Sequence, residues 1–381
     1  MPYDIADLRR TESPITERYA YFNNCGIAPL PVRGARAVQE FIQSATLEDT
    51  EGFLAWMPTI ERTRSKLARL LNTSSDDIAL IKNTAEGFTI VAQAIPWQRG
   101  DVILVAQDEF PATIYPWQML QRDGVDVCIV PHQHERITAD TFAPFLAGGK
   151  VRLVVVSWVQ FHTGWRADLA EIGALCRDAG AMLCVDAIQG VGALPLDLTA
   201  TRVDFCMFGG NKWMMSLQGT GALYVNGQIR DQLHSANVGW LSVPWTGIEV
   251  LDPTTPLDNR AAQYEEGTRV SVCITALEQS LDLMQELGIH NIAAQIKHTT
   301  DLLVAGLIER GATIRSQRDG EHWSGIVAWT HPDRELHEVA AALQAADVLV
   351  TIREGSLRAA PHCFNDASDV ARLLAALDGD R

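Results

Sequence analysis

The stretches MLCVDAIQGVGALPLD (182–197) and DFCMFGGNKWMMSLQGTGALYV (204–225) decide the fold. Their leading runs, MLCVD and FCMFG, are apolar at almost every position, as strands covered on both faces require. Asp186 ends the first run, and Lys212 comes 26 positions later, just past the second run and a pair of glycines. A carboxylate and an amine at the C-terminal ends of two strands of one sheet face a shared crevice, where open α/β sheets bind ligands. Taken singly, an Asp after a strand is a turn or cap residue and a lone Lys is solvated. It is the pair, set among GGNKW and QGTG, that points to chemistry.

Outward from this pair the chain alternates strand-length apolar runs with helical spacing. The expected strands are Asp77–Ile81, Asp101–Ala106, Asp126–Pro131, Arg152–Ser157, Met182–Ala187, Phe205–Gly210 and Gly221–Val225. Between them, Ala167–Ala179 repeats apolar positions Leu169, Ile172, Leu175 and Cys176 at helical intervals. That alternation predicts βαβ units and an α/β fold with a doubly wound, mainly parallel sheet. Residues 239–259 lack a clear period and read as a long irregular connection. Val272–Leu287 follows as a long helix, and the remainder reads as helix, strand, helix, strand, helix, ending in Ser368–Leu377 with Ser368 as N-cap.

Composition bounds the partners. The 381 residues carry 31 Lys+Arg against 47 Asp+Glu, a formal charge of −16, with 47% apolar residues, so the chain is folded and long enough for a large domain and a smaller companion. The acidic balance argues against nucleic acid and anionic membrane surfaces and favours a small-molecule substrate. Seven cysteines lie scattered without a CxxC pair, Cys25 and Cys363 among them, and read as buried thiols. With no secretory pattern at the N-terminus and no apolar run of membrane-spanning length, a cytoplasmic location is expected.

Seven segments in order, YFNNCGIAPLP (21–31), NTAEGF (83–88), VQFHTG (159–164), VDAIQG (185–190), GGNKW (209–213), EEGTRVS (265–271) and SLRAAPHCFND (356–366), resemble the class V aminotransferase family of fold type I pyridoxal-phosphate (PLP) enzymes. Cysteine desulfurases, isopenicillin N epimerase and kynureninase are members. The resemblance implies a large PLP-binding domain at 15–255 with a seven-stranded sheet. It also implies a small domain built from 1–14 and an α+β segment at 256–381. By the same resemblance Lys212 carries PLP as a Schiff base, a task that needs its amine pKa lowered by burial or nearby cations. Asp186 holds the pyridine nitrogen protonated, and Gln189 meets the ring hydroxyl. Phe110 stands where many relatives place a ring-stacking His; it can stack but cannot exchange a proton.

Thr84 and Ala85 are implied phosphate ligands, at a helix N-terminus whose amides suit a dianion. Thr268 is implied to bind the phosphate of a partner subunit, which makes the expected assembly a homodimer with shared active sites. Where relatives have Ser-x-His-Lys, this chain has Gly209-Gly210-Asn211-Lys212. Asn211 can still donate, whereas Gly209 has lost a side-chain contact. Arg358 matches the arginine that clamps the substrate carboxylate, a task suited to a planar bidentate donor. Asn24, Gly26 and Phe161 are implied to line the substrate pocket, with Gln160 and His162 near the ring face; His162 reads equally as a polar contact or a packed residue.

The resemblance implies Cα deprotonation of a small α-amino acid through an external aldimine. Desulfurases carry a nucleophilic Cys just ahead of the carboxylate arginine; here Arg353 to Leu357 contain none, and Cys363 lies beyond Arg358. A persulfide-forming desulfurase is disfavoured, and a C–S/β-elimination lyase or epimerase is expected, with transamination as the alternative. A catalytically silent scaffold of the same fold is the competing class, motivated by Gly209 and Phe110. A nicotinamide-binding protein is a distant third, since KNTAEG (82–87) is no GxGxxG fingerprint.

Overall fold

The computed structural model describes residues 3–244, 252 and 254–379. Among them the strands run in chain order β1 (Ala20–Tyr21), β2 (Ile78–Ile81), β3 (Val102–Ala106), β4 (Asp126–Val130), β5 (Val151–Ser157), β6 (Met182–Asp186) and β7 (Phe205–Gly209). These are followed by β8 (Gly221–Val225), β9 (Thr313–Ile314), β10 (Val327–Thr330), β11 (Val348–Leu349), β12 (Thr351–Arg353) and β13 (Ser356–Ala359).

All seven expected strands join one sheet in the order β2-β8-β7-β6-β5-β3-β4. The pairs from β4 to β7 are parallel, and β8 runs antiparallel to both its neighbours, so the sheet is mainly parallel. The alternation along each strand explains the unbroken apolar runs. Leu104, Val154 and Val156 pack into one layer with Phe142, Ile172 and Leu277 from helices Ala139–Leu146, Leu169–Asp178 and Ser271–Leu287. Ile103, Leu153 and Val155 pack into the opposite layer with Phe88 and Trp117 from helices Thr84–Ala94 and Pro111–Gln118. Both faces are therefore dry, and neither tolerates the polar alternation of a half-exposed strand.

A second, antiparallel sheet has the order β12-β13-β10-β9. Leu357 and Val327 from it pack with Leu303, Val339 and Leu373 from helices Ile289–Glu309, Leu336–Ala345 and Ala367–Asp378. β1 adds a short parallel ladder with β11, so the N-terminal segment is stitched to residues far along the chain.

Three expectations need correction. The last helix is capped by Asp366, not Ser368: the Asp366 carboxylate accepts the backbone N–H groups of Ser368 and Asp369, and the helix starts at Ala367. The stretch before Arg358, to which the sequence pattern assigns no hairpin, forms one, β12 to β13, turned by Glu354 and Gly355 at φ 44° and 73°. The region after residue 310 holds more strands than expected, because pairs as short as Thr313–Ile314 carry no periodic signal of their own. Of the irregular 239–259 connection, residues 245–251 and 253 lie outside the described residues; the others form no helix or strand. No described helix is long and apolar enough to cross a membrane.

Candidate active site

Asp186, Ser157 and Gly209 close β6, β5 and β7 at one edge of the large sheet, with Ser157 in register with Asp186. Asp186 is 2% exposed. Burial pushes its carboxyl up; the Ile188 N–H on Oδ1 at 2.9 Å, the nearby Lys212 and the Thr113 hydroxyl on Oδ2 at 3.2 Å oppose that. Lys212 sits three residues past β7, in a turn closed by Met215 N–H to the Lys212 carbonyl at 2.8 Å. Burial pushes its amine down, Asp186 and Cys25 pull it up, and Arg358 and Arg353 push it down again. The Lys212 Nζ lies 5.8 Å from the centroid of the Phe110 ring, which meets Phe161 edge-on at 5.5 Å.

Arg358 reaches this edge from the second sheet. Cross-strand partners share a face, so Thr351, Arg353, Ser356 and Arg358 lie on one side of the hairpin while Ile352 and Leu357 enter the core on the other. Arg358 is 2% exposed; its Nε donates to Thr351 Oγ1 at 3.3 Å and its Nη1 to the Phe161 carbonyl. The buried Asn24 donates through Nδ2 to the Ala360 carbonyl at 2.8 Å. Gly26 follows in a turn where a Cβ would lie 2.5 Å from Asn23 Oδ1. Gln189 ties the two parts: its Nε2 donates to the Cys25 carbonyl at 3.1 Å, and its Oε1 accepts the Trp213 indole N–H at 3.0 Å.

The helix Thr84–Ala94 begins behind Asn83, whose side chain accepts the Glu86 N–H at 2.9 Å. The amides of Thr84 and Ala85, ahead of it, have no partner within the helix and carry the positive end of its dipole. The Asn211 carbonyl accepts the Ala28 N–H at 3.0 Å, and a Cβ on Gly209 would stand 3.1 Å from Asn211 Oδ1 and 3.2 Å from Ile188 Cδ1. Thr268 is exposed and lines a surface recess with Lys82, Glu86 and Gly219. The structure thus gathers Lys212, Asp186, Gln189, Phe110, Phe161, Arg358 and Asn24 around one edge and leaves Thr268 facing outward.

This donor set fits pyridoxal phosphate: a buried amine pushed toward its neutral form, a buried carboxylate, a flat aromatic wall and unpaired helix-start amides. Buried polar atoms still without a partner, Asn24 Oδ1, Gln160 Oε1 and His162 Nδ1, belong to the same group of segments. Polar atoms buried this way ordinarily find a partner, and a polar ligand is the partner this place offers.

Four neighbours escaped the sequence reading. Thr113 bonds Asp186; Glu109 is buried beside Ser157; Arg353 shares the hairpin face with Arg358. Cys25, read as packing, is indeed buried, and burial pushes its thiol up, but Arg358, Lys212 and Arg353 all pull it down. Its place between Asn24 and Gly26 was the signal available. The other thiols are buried too, apart from the half-buried Cys128.

The family model described as Aminotransferase class-V matches residues 21–372. A probable cysteine desulfurase of Methanothermobacter thermautotrophicus is 27% identical, over 96% of this chain and 96% of that protein. An uncharacterized aminotransferase of Bacillus subtilis, YcbU, is 23% identical over 95% and 94%. Among solved structures, a C-DES variant with glycine covalently linked to its PLP cofactor superposes with a TM-score of 0.89 at 25% identity, covering 97% of this chain and 99% of that one. The complex of the cystine C–S lyase C-DES with its product cysteine persulfide gives 0.88 at 25% identity, covering 96% and 99%. With its fold, its strand-edge lysine and aspartate and a family match over nearly its whole length, the chain belongs to the class V aminotransferase family and is a pyridoxal-phosphate-dependent enzyme.

Proposed function

We propose that this enzyme breaks a carbon–sulfur bond in a small α-amino acid by β-elimination. The observation that carries the reading is the buried Lys212, set against Asp186 and Arg358, beside a hairpin with a two-residue turn and no cysteine. A desulfurase-type persulfide relay needs a thiol on a loop at that place, and Arg353–Leu357 offers neither loop nor thiol.

Pyridoxal phosphate, when bound, supplies a sink for the electron pair left at the substrate Cα. Lys212 would hold the cofactor, Asp186 and Gln189 its ring, and Thr84, Ala85 and Asn211 its phosphate. Arg358 receives the α-carboxylate with its planar donor fork and so fixes which Cα bond faces the cofactor. The Lys212 amine, its basicity lowered by burial, takes the Cα proton and returns a proton to the departing sulfur. Phe110 and Phe161 keep water from the ring, and Asn24 and Gly26 close the substrate side. His162, buried with Nδ1 unpartnered, supports the polar-contact reading over simple packing.

Epimerisation shares the proton step at Cα, and transamination shares the binding groups; the products separate them. Incubation with a panel of amino acids including cysteine and cystine is expected to release pyruvate, ammonia and a sulfur product from at least one. Inverted configuration, or a keto acid that keeps its whole side chain and appears without free ammonia, would favour the alternatives. A panel with neither product nor Cα deuterium exchange would leave the scaffold reading standing.

A homodimer is part of the same reading: Thr268 is exposed, and its own chain gives it no bond to the Thr84 amides, so a partner's phosphate is its natural contact. A cytoplasmic location is consistent with seven free cysteines. We also assign 15–255 to a cofactor domain and 1–14 with 256–381 to a smaller one that brings Arg358.

A further inference from the structure

Glu109 stands beside the site, and none of the roles above uses it. Its residue is 4% exposed, and no cation pairs with it among the described residues. The carboxylate accepts the Ser157 N–H at 2.7 Å and the Gln160 Nε2 at 2.9 Å on one oxygen and the Ser157 hydroxyl on the other. A buried anion held only by neutral donors lowers stability relative to an apolar or amide side chain of similar size. The turn that delivers it is also strained, since Asp108 adopts φ 61° and is held there by His132 Nε2 on its carboxylate at 2.8 Å. Cost without structural gain points to a role in the chemistry.

The topology says which one. β3, β5 and β6 are adjacent, and Glu109 follows the end of β3 while Ser157 and Asp186 end the other two. Glu109 thus faces Asp186 across Ser157, and Asp186 is the charged group that acts on it. Its neighbour in sequence is Phe110, and its partner Gln160 precedes Phe161. We propose that Glu109 is a positioning residue: by gripping Ser157 and Gln160 it locks the Phe110 and Phe161 rings beside Lys212 and sets a carboxylate facing Asp186. This rests on the reading that Lys212 and Asp186 hold the cofactor. Burial pushes Glu109 up to about 7, against the pull of Ser157 and Gln160, so its charge changes near neutral pH.

The test is a pH titration of the bound cofactor's visible absorbance in the PLP-loaded wild type, in Glu109→Gln and in Gln160→Leu. Wild type is expected to show a step centred near pH 7. Glu109→Gln should lack the step, and its kcat should fall about tenfold or more with KM little changed, since misplaced rings spoil alignment before affinity. Gln160→Leu removes a donor that favours the charged carboxylate, so its step should move to higher pH. A Glu109→Gln enzyme with the wild-type titration and kcat overturns the proposal. Should that variant fail to fold, an unmoved step in Gln160→Leu overturns it and an upward move supports it. Borohydride trapping of the cofactor on a residue other than Lys212 would sink the site reading by itself, while the step still stands or falls with Glu109.

Discussion

Replacing Arg64 with Met tests how the Glu265–Ser271 segment, and Thr268 with it, is held in place. Arg64 and Glu265 are both 1% exposed in their side chains and paired at 2.5 and 3.3 Å, and Arg64 Nη1 also donates to the Ile78 carbonyl at 2.6 Å. Glu265 accepts the Leu80 N–H at 2.8 Å and a further bond from Arg269. Burial alone pushes the Glu265 carboxyl up; Arg64 and Arg269 more than reverse this and hold it low. Met keeps the apolar stem of Arg64 and removes its charge, leaving a fully buried carboxylate with Arg269 as its one cationic partner among the described residues. Breaking a buried pair this way costs about 3–5 kcal/mol. Unfolding entropy of about 2.1 cal/mol/K per residue gives roughly 0.8 kcal/mol/K for a chain of this size, so Tm should fall by roughly 4–6 °C. Scanning calorimetry of the PLP-loaded protein at constant cofactor reads this directly. A Tm within about 1 °C of wild type would refute the reasoning, since the loss of a buried ion pair cannot hide in so small a change. If Thr268 completes the partner's phosphate site, the same variant also releases PLP more readily in equilibrium dialysis.

Other substitutions read the site itself. Lys212→Ala should fold normally yet yield no borohydride-trapped cofactor on the 209–213 peptide by mass spectrometry, and no turnover. Arg358→Lys loses the planar fork, and KM should rise about 10–100-fold, as expected for the loss of a charge-assisted bond, with kcat less affected. Gly209→Ser adds a hydroxyl where a Cβ is 3.1–3.2 Å from Asn211 and Ile188. The gain of a charge-assisted bond, less that crowding, should tighten PLP binding by roughly tenfold, and weaker binding would contradict the phosphate assignment. His362 is fully buried and pushed down to about 4 from 6.5, with Nε2 on the Trp213 carbonyl at 2.9 Å and Nδ1 accepting the Cys363 N–H at 2.7 Å. Its neutral form therefore stabilises the fold fully above pH 6.5, and about 3 kcal/mol of that is lost as pH falls to 4. His362→Gln should flatten the denaturation midpoint over that window.

The large sheet was legible because both its faces are dry, so MLCVD and FCMFG could be nothing but covered strands, each placed to within one residue. Asp186 and Lys212 were legible because strand ends are where such sheets place ligand groups. What escaped depends on contacts far along the chain. Glu109 meets Ser157 across 48 residues, Gln189 meets Cys25 across 164, and Arg358 meets Phe161 across 197. No local pattern announces them. The β12–β13 hairpin was missed for a different reason: three- and four-residue strands are too short for alternation, and its turn uses Glu354 rather than an Asn or Asp. Ser368 looked like a cap, but its hydroxyl donates to Asp366, whose charged carboxylate takes the Ser368 and Asp369 amides and starts the helix earlier.

The stitching of the N-terminal segment has a consequence for how the enzyme is made. Ala20 and Tyr21 pair with Val348 and Leu349, Asn24 bonds the Ala360 carbonyl, Tyr3 bonds the Cys363 carbonyl and Arg9 pairs with Asp369. This segment thus waits for partners made far later in the same chain, 336 residues on for the Asn24 bond and 360 for Tyr3, before it can settle. At roughly 5–20 residues per second, that wait is on the order of 20–60 s, during which the central sheet can already assemble around its own helices. On the proposed assignment of Asn24 and Gly26 to the substrate side, that side of the site cannot close before these late contacts are made. A chain cut before residue 348 lacks these partners of its N-terminal segment, so on that assignment ordering of the segment is the step that turns a folded sheet into a working enzyme.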